Sequence, residues 1–191
     1  MQQNSVQICL INEKKGLRTW RGYMSGAEIG NLLVLTASGD TDAFSQLYKK
    51  TARGVYAFIY TYLKNSADTE DAMQTVYLKV AKSANTFKKG TNGRAWILQI
   101  AKNHALNLIK KRNRETGLED LDLPSTKEHN GVVMDAMARV LSEEEQRLVV
   151  MHVLWGYKHR EIAKIIDCPV GTITSKYKRA MEKLRKALKE I

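Results

Sequence analysis

Hydrophobic residues in this chain recur mostly at the spacing of an α-helix. Over residues 41–63 they fall three or four positions apart and form one stripe, which predicts a helix that Asp40 or Thr41 caps. A shorter stripe over 27–37 predicts a helix that ends at Ser38-Gly39-Asp40. Because no segment shows the alternation typical of a β-strand, we predict an all-α protein.

The next two predicted helices carry opposite charges. After a break at Asn65-Ser66, acidic side chains are expected in a first helical turn, where they oppose the positive end of the helix dipole. They are Asp68, Glu70 and Asp71. The buried stripe of this helix is predicted to comprise Met73, Val76, Tyr77, Val80 and Ala84. A loop with two lysines and flexible glycines follows over 88–93, and Asn92 is a candidate N-cap for a basic helix over 94–114.

An acidic segment separates this half from the rest of the chain. Residues 115–131 contain two Gly, one Pro and five acidic side chains, a composition typical of an interdomain linker. We therefore predict two small helical domains, 24–114 and 132–191, joined by this linker. Residues 1–23 show no sustained period and are predicted to form an N-terminal arm.

The second predicted domain has the organisation of a helix-turn-helix. A helix over 132–141 is followed by Ser142-x-x-Glu145, which matches a capping box. The helix after this box is expected to end near Trp155-Gly156. Two more helices, over 158–167 and 170–189, are separated only by a three-residue turn.

A helix-turn-helix needs a small residue in its first helix and apolar contacts at fixed offsets. Ala163 supplies the small residue, and Cys168 lies in the turn. Asp167 stands where such motifs frequently have Gly, and Asp tolerates the left-handed backbone better than most residues. The apolar side chains expected to pack inward are Ile162, Ile166, Ile173 and Tyr177.

Hydroxyls and cations lie off the apolar stripe of the last helix. Near a helix N-terminus such groups suit phosphates and the base edges of the major groove. We therefore predict that this helix binds DNA, the alternative being a basic hairpin that only packs. The predicted contacts are Thr172, Thr174, Ser175, Lys176, Lys178 and Arg179.

The charge distribution adds a second candidate surface. The chain carries a net charge of +11, and residues 86–114 contain eight Lys and Arg without any Asp or Glu. Such a balance indicates a polyanionic partner, either nucleic acid or an anionic membrane surface. A solvated basic face is the alternative for this block, and Trp96 within it is expected in the core. The candidate nucleic-acid contacts are Lys88, Lys89, Thr91, Asn92, Arg94, Asn103, Asn107, Lys110, Lys111 and Arg112.

Catalytic and metal-binding patterns are missing from the sequence. Cys9 and Cys168 lack a partner motif, and the four histidines fall on different predicted elements without ligand spacing. Gly22, Gly26 and Gly30 recur every four residues, but no strand precedes them, so a loop or helix explains them better than a phosphate site. We predict no metal, no cofactor and no enzymatic activity. Without a long apolar run or a signal peptide, a cytoplasmic protein without membrane insertion is expected.

Five segments together resemble one protein family. They are Gly39–Tyr48, Ala67–Val80, Arg94–Asn103, Glu161–Ile166 and Pro169–Ser175. In this order they are similar to regions 2 and 4 of an extracytoplasmic-function (ECF) sigma factor of the sigma-70 family. The resemblance implies a region 2 helical bundle, a region 4 helix-turn-helix, and a protein that binds core RNA polymerase and directs promoter-specific initiation. It also admits an anti-sigma protein as a partner.

The resemblance further implies roles for individual residues. Core polymerase would be contacted by Asp71, Gln74, Thr75 and Leu78, with Thr75 standing where the family commonly has Glu. The loop over 88–93 and the helix over 94–112 would bind the minus-ten promoter element. The helix over 170–183 would enter the major groove of the minus-thirty-five element.

Two other functions compete with this interpretation. A helix-turn-helix regulator would use the N-terminal half to sense a ligand or to dimerise, which predicts a pocket-forming pattern instead of an acidic helix followed by a basic block. A protein-interaction adaptor would leave both basic blocks unexplained.

Overall fold

The computed structural model describes residues 25–116 and 132–189, and every regular element in these two ranges is helical. The prediction of an all-α fold is therefore confirmed. The chain divides into two compact units, a first unit with described residues 25–116 and a second unit with described residues 132–189. The predicted arm over 1–23 and most of the predicted linker over 115–131 lie outside the described residues.

The first unit contains four helices and one short 3-10 turn. They are α1 (Gly26–Ala37), α2 (Thr41–Leu63), α3 (Ser66–Ser83), the 3-10 turn Ala84–Thr86, and α4 (Gly93–Thr116). The helices start where side chains replace missing backbone partners. The Oδ1 atom of Asp40 accepts a hydrogen bond from the amide of Ala43 at 2.8 Å, so Asp40 rather than Thr41 is the N-cap of α2. Asn65 caps α3 in the same way at 2.9 Å.

The apolar stripes predicted for the first unit meet in one core. Val55 and Ile59 of α2, Val76 of α3 and Ile97 of α4 are completely buried. Inside this core the hydroxyls of Thr51 and Tyr77 lie 2.7 Å apart, and burial raises the pKa of Tyr77 despite this hydrogen bond. A satisfied polar pair of this kind ties α2 to α3 without leaving a buried group unpaired.

The helix α3 begins earlier than the sequence analysis predicted. Because Asn65 caps a helix that begins at Ser66, Asp68 alone of the three expected acids lies in the first turn. The buried stripe also shifts, since Thr69 and Ala72 are buried whereas Met73 is only half-buried. Small side chains on this face let α3 approach its neighbours closely.

Three glycines of the first unit are packing positions. A Cβ atom on Gly93 would lie 2.6 Å from the backbone nitrogen of Gly30, and one on Gly26 would lie 2.4 Å from Oδ1 of Asn92. Gly93 is therefore not a flexible residue of the loop over 88–93 but the buried first residue of α4. Gly26 and Gly30 allow α1 to approach α4 at short range, which confirms a helical explanation for their spacing.

The second unit also contains four helices. They are α5 (Val132–Val140), α6 (Glu143–Val153), α7 (His159–Ile166) and α8 (Val170–Lys189). Ser142 and Glu145 form the predicted capping box at the start of α6, which ends two residues earlier than expected. No helix in the described part of the chain is both long and apolar enough to cross a membrane.

The helix-turn-helix forms at the predicted turn, with one error in its packing. Asp167 adopts the left-handed conformation with a φ of 55°, and Ile162, Ala163 and Ile173 are buried as expected. The prediction for Ile166 is wrong, because 46% of its surface is exposed. It is the last residue of α7, where the chain turns away before α8 begins, so its side chain lies beyond the contact between the two helices.

Candidate nucleic-acid interface

Four predicted contacts lie on one face of α3. Asp71, Gln74, Thr75 and Leu78 follow each other at intervals of three, one and three residues, which places them on the same side of the helix. Asp71 and Gln74 are exposed, Thr75 is half-buried, and 61% of Leu78 is exposed. The structure thus brings these residues together on a surface, the α3 face, that combines polar groups with an accessible apolar side chain.

A groove of about 320 Å³ runs between this face and the C-terminal half of α4. Asp71 and Thr75 line it from one side, and Lys111 and Arg112 line it from the other. Arg112 binds the carboxylate of Asp68 across the groove. The structure therefore separates Lys111 and Arg112 from the other predicted minus-ten contacts and places them beside the α3 face.

The remaining contacts of α4 form a different face. Asn103, Asn107 and Lys110 are exposed and lie three or four residues apart, which aligns them along the helix. The Oδ1 atom of Asn103 accepts a hydrogen bond from Nε2 of Gln99 at 2.8 Å. This α4 face, Asn103, Asn107 and Lys110, offers two amides and one cation without any carboxylate.

Some polar side-chain groups of the loop before α4 already form hydrogen bonds with the backbone of the protein. Lys88, Lys89 and Thr91 are exposed, but the hydroxyl of Thr91 donates to the carbonyl of Lys88 at 2.7 Å. Oδ1 of Asn92 accepts from the amides of Arg94 at 3.1 Å and Ala95 at 3.3 Å, which confirms Asn92 as the N-cap of α4. Only the NH₂ group of Asn92 is then left for a base edge.

The solvent exposure of two residues next to this loop differs from what the sequence suggested. Arg94 is half-buried, so it is less accessible than the two loop lysines. Trp96 is also half-buried, instead of lying in the core, and its ring meets that of Phe87 edge to face at 5.7 Å. Trp96 therefore has an accessible portion next to the loop.

Five of the six predicted contacts on α8 are exposed. They are Thr172, Thr174, Ser175, Lys178 and Arg179, and they form the α8 face. The hydroxyl of Thr174 donates to the carbonyl of Val170 at 2.9 Å. This bond within the helix restricts the rotamer that Thr174 presents to a partner.

The sixth contact, Lys176, has an intramolecular partner. Its Nζ atom lies 2.7 Å from the carboxylate of Glu144 at the start of α6, and a second pair joins Lys183 to Glu145 at 2.8 Å. The hydrogen bond from Lys176 lowers the pKa of Glu144, and the same bond raises the pKa of Lys176. Lys176 therefore differs from Arg179 in having to leave a carboxylate before it can bind a phosphate.

A cluster of rings that sequence reasoning did not find lies behind the α8 face. The ring centroids of His152 and His159 are 4.6 Å apart, and they lie 4.6 Å and 4.9 Å from the ring of Tyr177. Nδ1 of His159 is 3.2 Å from the hydroxyl of Thr174. Burial and the neighbouring His152 lower the pKa of His159. No sequence spacing signals this cluster, because it forms only when α6, α7 and α8 pack together.

Metal-binding geometry is not found in the described residues, where no three His, Cys, Asp or Glu side chains come together. Cys168 is a half-buried free thiol.

Two family models match the chain in the order in which these surfaces occur. The model for sigma-70 region 2 matches residues 47–115, and the model for sigma-70 region 4 matches residues 132–184. The chain belongs to the sigma-70 family. Its N-terminal half matches region 2, as the sigma-factor interpretation predicts and the helix-turn-helix regulator considered from the sequence does not.

Curated relatives place this sigma factor in the ECF group. It is 26% identical to the ECF RNA polymerase sigma-E factor of Haemophilus influenzae, over 84% of this chain and 95% of that protein. It is also 26% identical to the ECF RNA polymerase sigma-E factor of Escherichia coli K12, over 79% of this chain and 89% of that protein. The resemblance inferred from the five sequence segments is therefore confirmed.

Two solved structures share the fold of the sigma factor. One is RpoE of Bartonella quintana in complex with the anti-sigma factor NepR, with a TM-score of 0.58, 23% identity, and coverage of 76% of this chain and 96% of that chain. The other is CnrH in complex with the cytosolic domain of CnrY, with a TM-score of 0.58, 19% identity, and coverage of 84% and 97%. At these identities the likeness establishes the fold alone.

Proposed function

We propose that the α3 face binds core RNA polymerase, that the loop over 88–93 and the α4 face bind the minus-ten element, and that the α8 face binds the minus-thirty-five element. As an ECF sigma factor, the protein directs promoter-specific transcription initiation. The division into region 2 over 24–114 and region 4 over 132–191 is part of the same proposal.

The observation that carries this assignment is the chemistry of the separate faces. The α3 face joins Asp71 and Gln74 to the exposed Leu78, a mixture that suits a protein surface. The α4 and α8 faces instead present amides, hydroxyls and cations, which suit phosphates and base edges. The α3 face therefore fits a protein partner, and the α4 and α8 faces fit nucleic acid.

Capture of an unstacked base is proposed for the loop before α4. Cations at Lys88 and Lys89 would hold the backbone, and Thr91 with the NH₂ group of Asn92 would contact the base edge. The accessible part of Trp96 is a candidate stacking surface. Such capture offsets the cost of unstacking, so opening at the minus-ten element needs no catalytic step by the sigma factor itself. We accordingly propose no enzymatic activity and a location in the cytoplasm, with the polymerase.

An anti-sigma protein is proposed as a further partner. The support is that RpoE of Bartonella quintana, which has the same fold, was solved with the anti-sigma factor NepR. Competition between such a protein and core polymerase would be visible as loss of holoenzyme in a titration.

The direct test combines the purified chain with bacterial core polymerase on promoter duplexes that are randomised across both elements. We expect the holoenzyme to enrich one minus-ten and one minus-thirty-five sequence, whereas core polymerase alone enriches neither. Replacing Thr91 by Val should change only the minus-ten preference, while Asn92 is left intact because it caps α4. An unchanged minus-ten preference in the folded Thr91→Val variant would remove the hydroxyl of Thr91 from the reading mechanism.

A further inference from the structure

The ring cluster behind the α8 face has no role in the function proposed so far. It consists of His152 from α6, His159 from α7 and Tyr177 from α8, with ring centroids 4.6–4.9 Å apart. His159 of this cluster contacts Thr174, one of the proposed base contacts. The cluster thus joins three helices directly beneath the surface that is expected to read DNA.

The hydrogen bonds of Thr174 determine which atom of His159 carries a proton. The hydroxyl of Thr174 has a single hydrogen, which it donates to the carbonyl of Val170 at 2.9 Å. The same oxygen can then only accept at the 3.2 Å contact with Nδ1 of His159, so Nδ1 is the donor. Thr174 is therefore held from two sides, by its own helix and by α7.

The surroundings of His159 favour its neutral form. Its ring is half-buried against His152 on α6 and against Tyr177 on α8, and Lys178 is exposed one turn beyond Thr174. On α7 itself, the carboxylate of Glu161 accepts from the backbone amide of Lys158 at 2.7 Å. Burial, and to a smaller extent the electrostatic effect of His152, lower the pKa of His159. Because the folded pKa lies below the ordinary value, this arrangement is most stable above that value and loses stability as the pH falls through the folded pKa.

We propose that His159 is a positioning residue for promoter recognition: its ring, held by His152 and Tyr177, fixes the hydroxyl of Thr174 and thereby sets the preference for one base of the minus-thirty-five element. The inference rests on the proposed role of the α8 face. Acidification leaves the Nδ1–H donor in place but adds a proton at Nε2, a buried atom without a hydrogen-bond partner among the described residues. That proton would disfavour the packed position of the ring, so the preference would weaken while the proposed phosphate contacts of Arg179 remain.

The test uses the full chain with bacterial core polymerase and the library of promoter duplexes randomised across both elements. Three variants isolate the hydrogen bond. His159→Phe keeps a ring without a donor, Thr174→Val removes the acceptor, and His159→Asn restores a donor near the position of Nδ1 without a titrating ring. Arg179→Ala tests the α8 face itself.

We expect His159→Phe and Thr174→Val to lower the preference at the same minus-thirty-five base, each by roughly two- to tenfold, and the double variant to be no worse than either. His159→Asn should retain most of the preference. As the pH falls from about 7 to about 5, a range that extends below the ordinary histidine pKa of about 6.5, the wild-type preference should decline and that of His159→Asn should stay level.

Several results would overturn the inference. A folded His159→Phe variant with the wild-type preference would do so, and so would additive losses in the double variant or an unchanged pH dependence in His159→Asn. If His159→Phe does not fold, the pH profile of His159→Asn decides the question. Arg179→Ala with unaltered DNA binding would overturn the proposed role of the α8 face, and this inference with it. Weakened binding by Arg179→Ala beside unaffected His159 variants would overturn the inference alone.

Discussion

The two units keep their functional faces in place by different means. In the first unit, the α3 and α4 faces lie on helices that pack through a buried apolar core and through a close backbone approach at Gly30 and Gly93. In the second unit, α8 is also held by charged contacts, from Lys176 to Glu144 and from Lys183 to Glu145. Apolar contacts hold helices without using the exposed groups, whereas ion pairs engage cations that the sequence assigns to DNA, Arg112 at Asp68 in the first unit and Lys176 at Glu144 in the second. The availability of a predicted DNA contact therefore depends on whether a carboxylate of a neighbouring helix reaches it.

The largest expected effect comes from a substitution that disrupts the close helix packing of the first unit. Replacing Gly93 by Ala should lower the free energy of unfolding by about 3 kcal/mol, because the added Cβ would lie 2.6 Å from the backbone nitrogen of Gly30. Thermal and urea unfolding of the full chain measure the loss. The matched control is Gly171→Ala in α8, whose Cβ meets no atom within 4 Å and which should leave stability unchanged or slightly raised. Equal behaviour of the two variants would contradict the comparison.

A second prediction concerns the α3 face. Replacing Asp71 and Gln74 by Arg should weaken core-polymerase binding about tenfold, since both side chains are exposed on the proposed contact surface. Titration of labelled sigma factor with core polymerase gives the affinity, and circular dichroism verifies that helical content is retained. Glu182→Arg is the control, because it reverses the charge of an exposed carboxylate on α8, outside the α3 face. Wild-type affinity in the double variant would exclude this face.

A third prediction sharpens the contrast in available charge. Arg179→Ala should reduce the salt dependence of DNA binding by about 0.9 in slope, whereas Lys176→Ala should reduce it less because Lys176 is held by Glu144. Glu144→Gln should free Lys176 and raise the slope. Binding of promoter duplexes by the holoenzyme over a series of salt concentrations measures these slopes. Equal slopes for Lys176→Ala and Arg179→Ala would show that the ion pair does not withhold the cation.

The smallest expected effect is the acid sensitivity of the second unit. Burial opposes ionisation of Glu145, yet its hydrogen bonds to Lys183 and Ser142 prevail, and they lower its pKa. A carboxyl group whose pKa is lower in the folded state contributes stability above its unfolded pKa, and that stability is lost as the pH falls through the folded value. Unfolding followed from neutral pH to below about pH 4 should therefore show a smaller acid-side loss in Glu145→Gln than in the wild type. Identical acid profiles would contradict this role for the pair.

Most of the helical architecture follows from local patterns in the sequence. The spacing of apolar residues predicts the stripe of α2 and most of the stripe of α3. Asn92 and Ser142 mark helix starts, and Asp167 takes the left-handed turn that the motif requires. These predictions hold because capping and helical periodicity depend on residues within a few positions of each other. The order of the five sequence segments was also enough to predict the sigma-70 family, and the two family models confirm this prediction.

The partners of individual side chains depended on the tertiary structure. Arg112 was predicted to bind DNA, yet it binds Asp68, which is far away in the sequence, and Lys176 meets Glu144 on another helix. The burial of Gly93 against Gly30 and the ring contact between His152 and His159 likewise arise where separate helices meet. Sequence by itself determined the helices, their order and the kinds of group that each exposes. Only the packing of one helix on another decided which of those groups have partners within the protein, because a side chain's neighbours across a helix interface carry no fixed spacing along the chain.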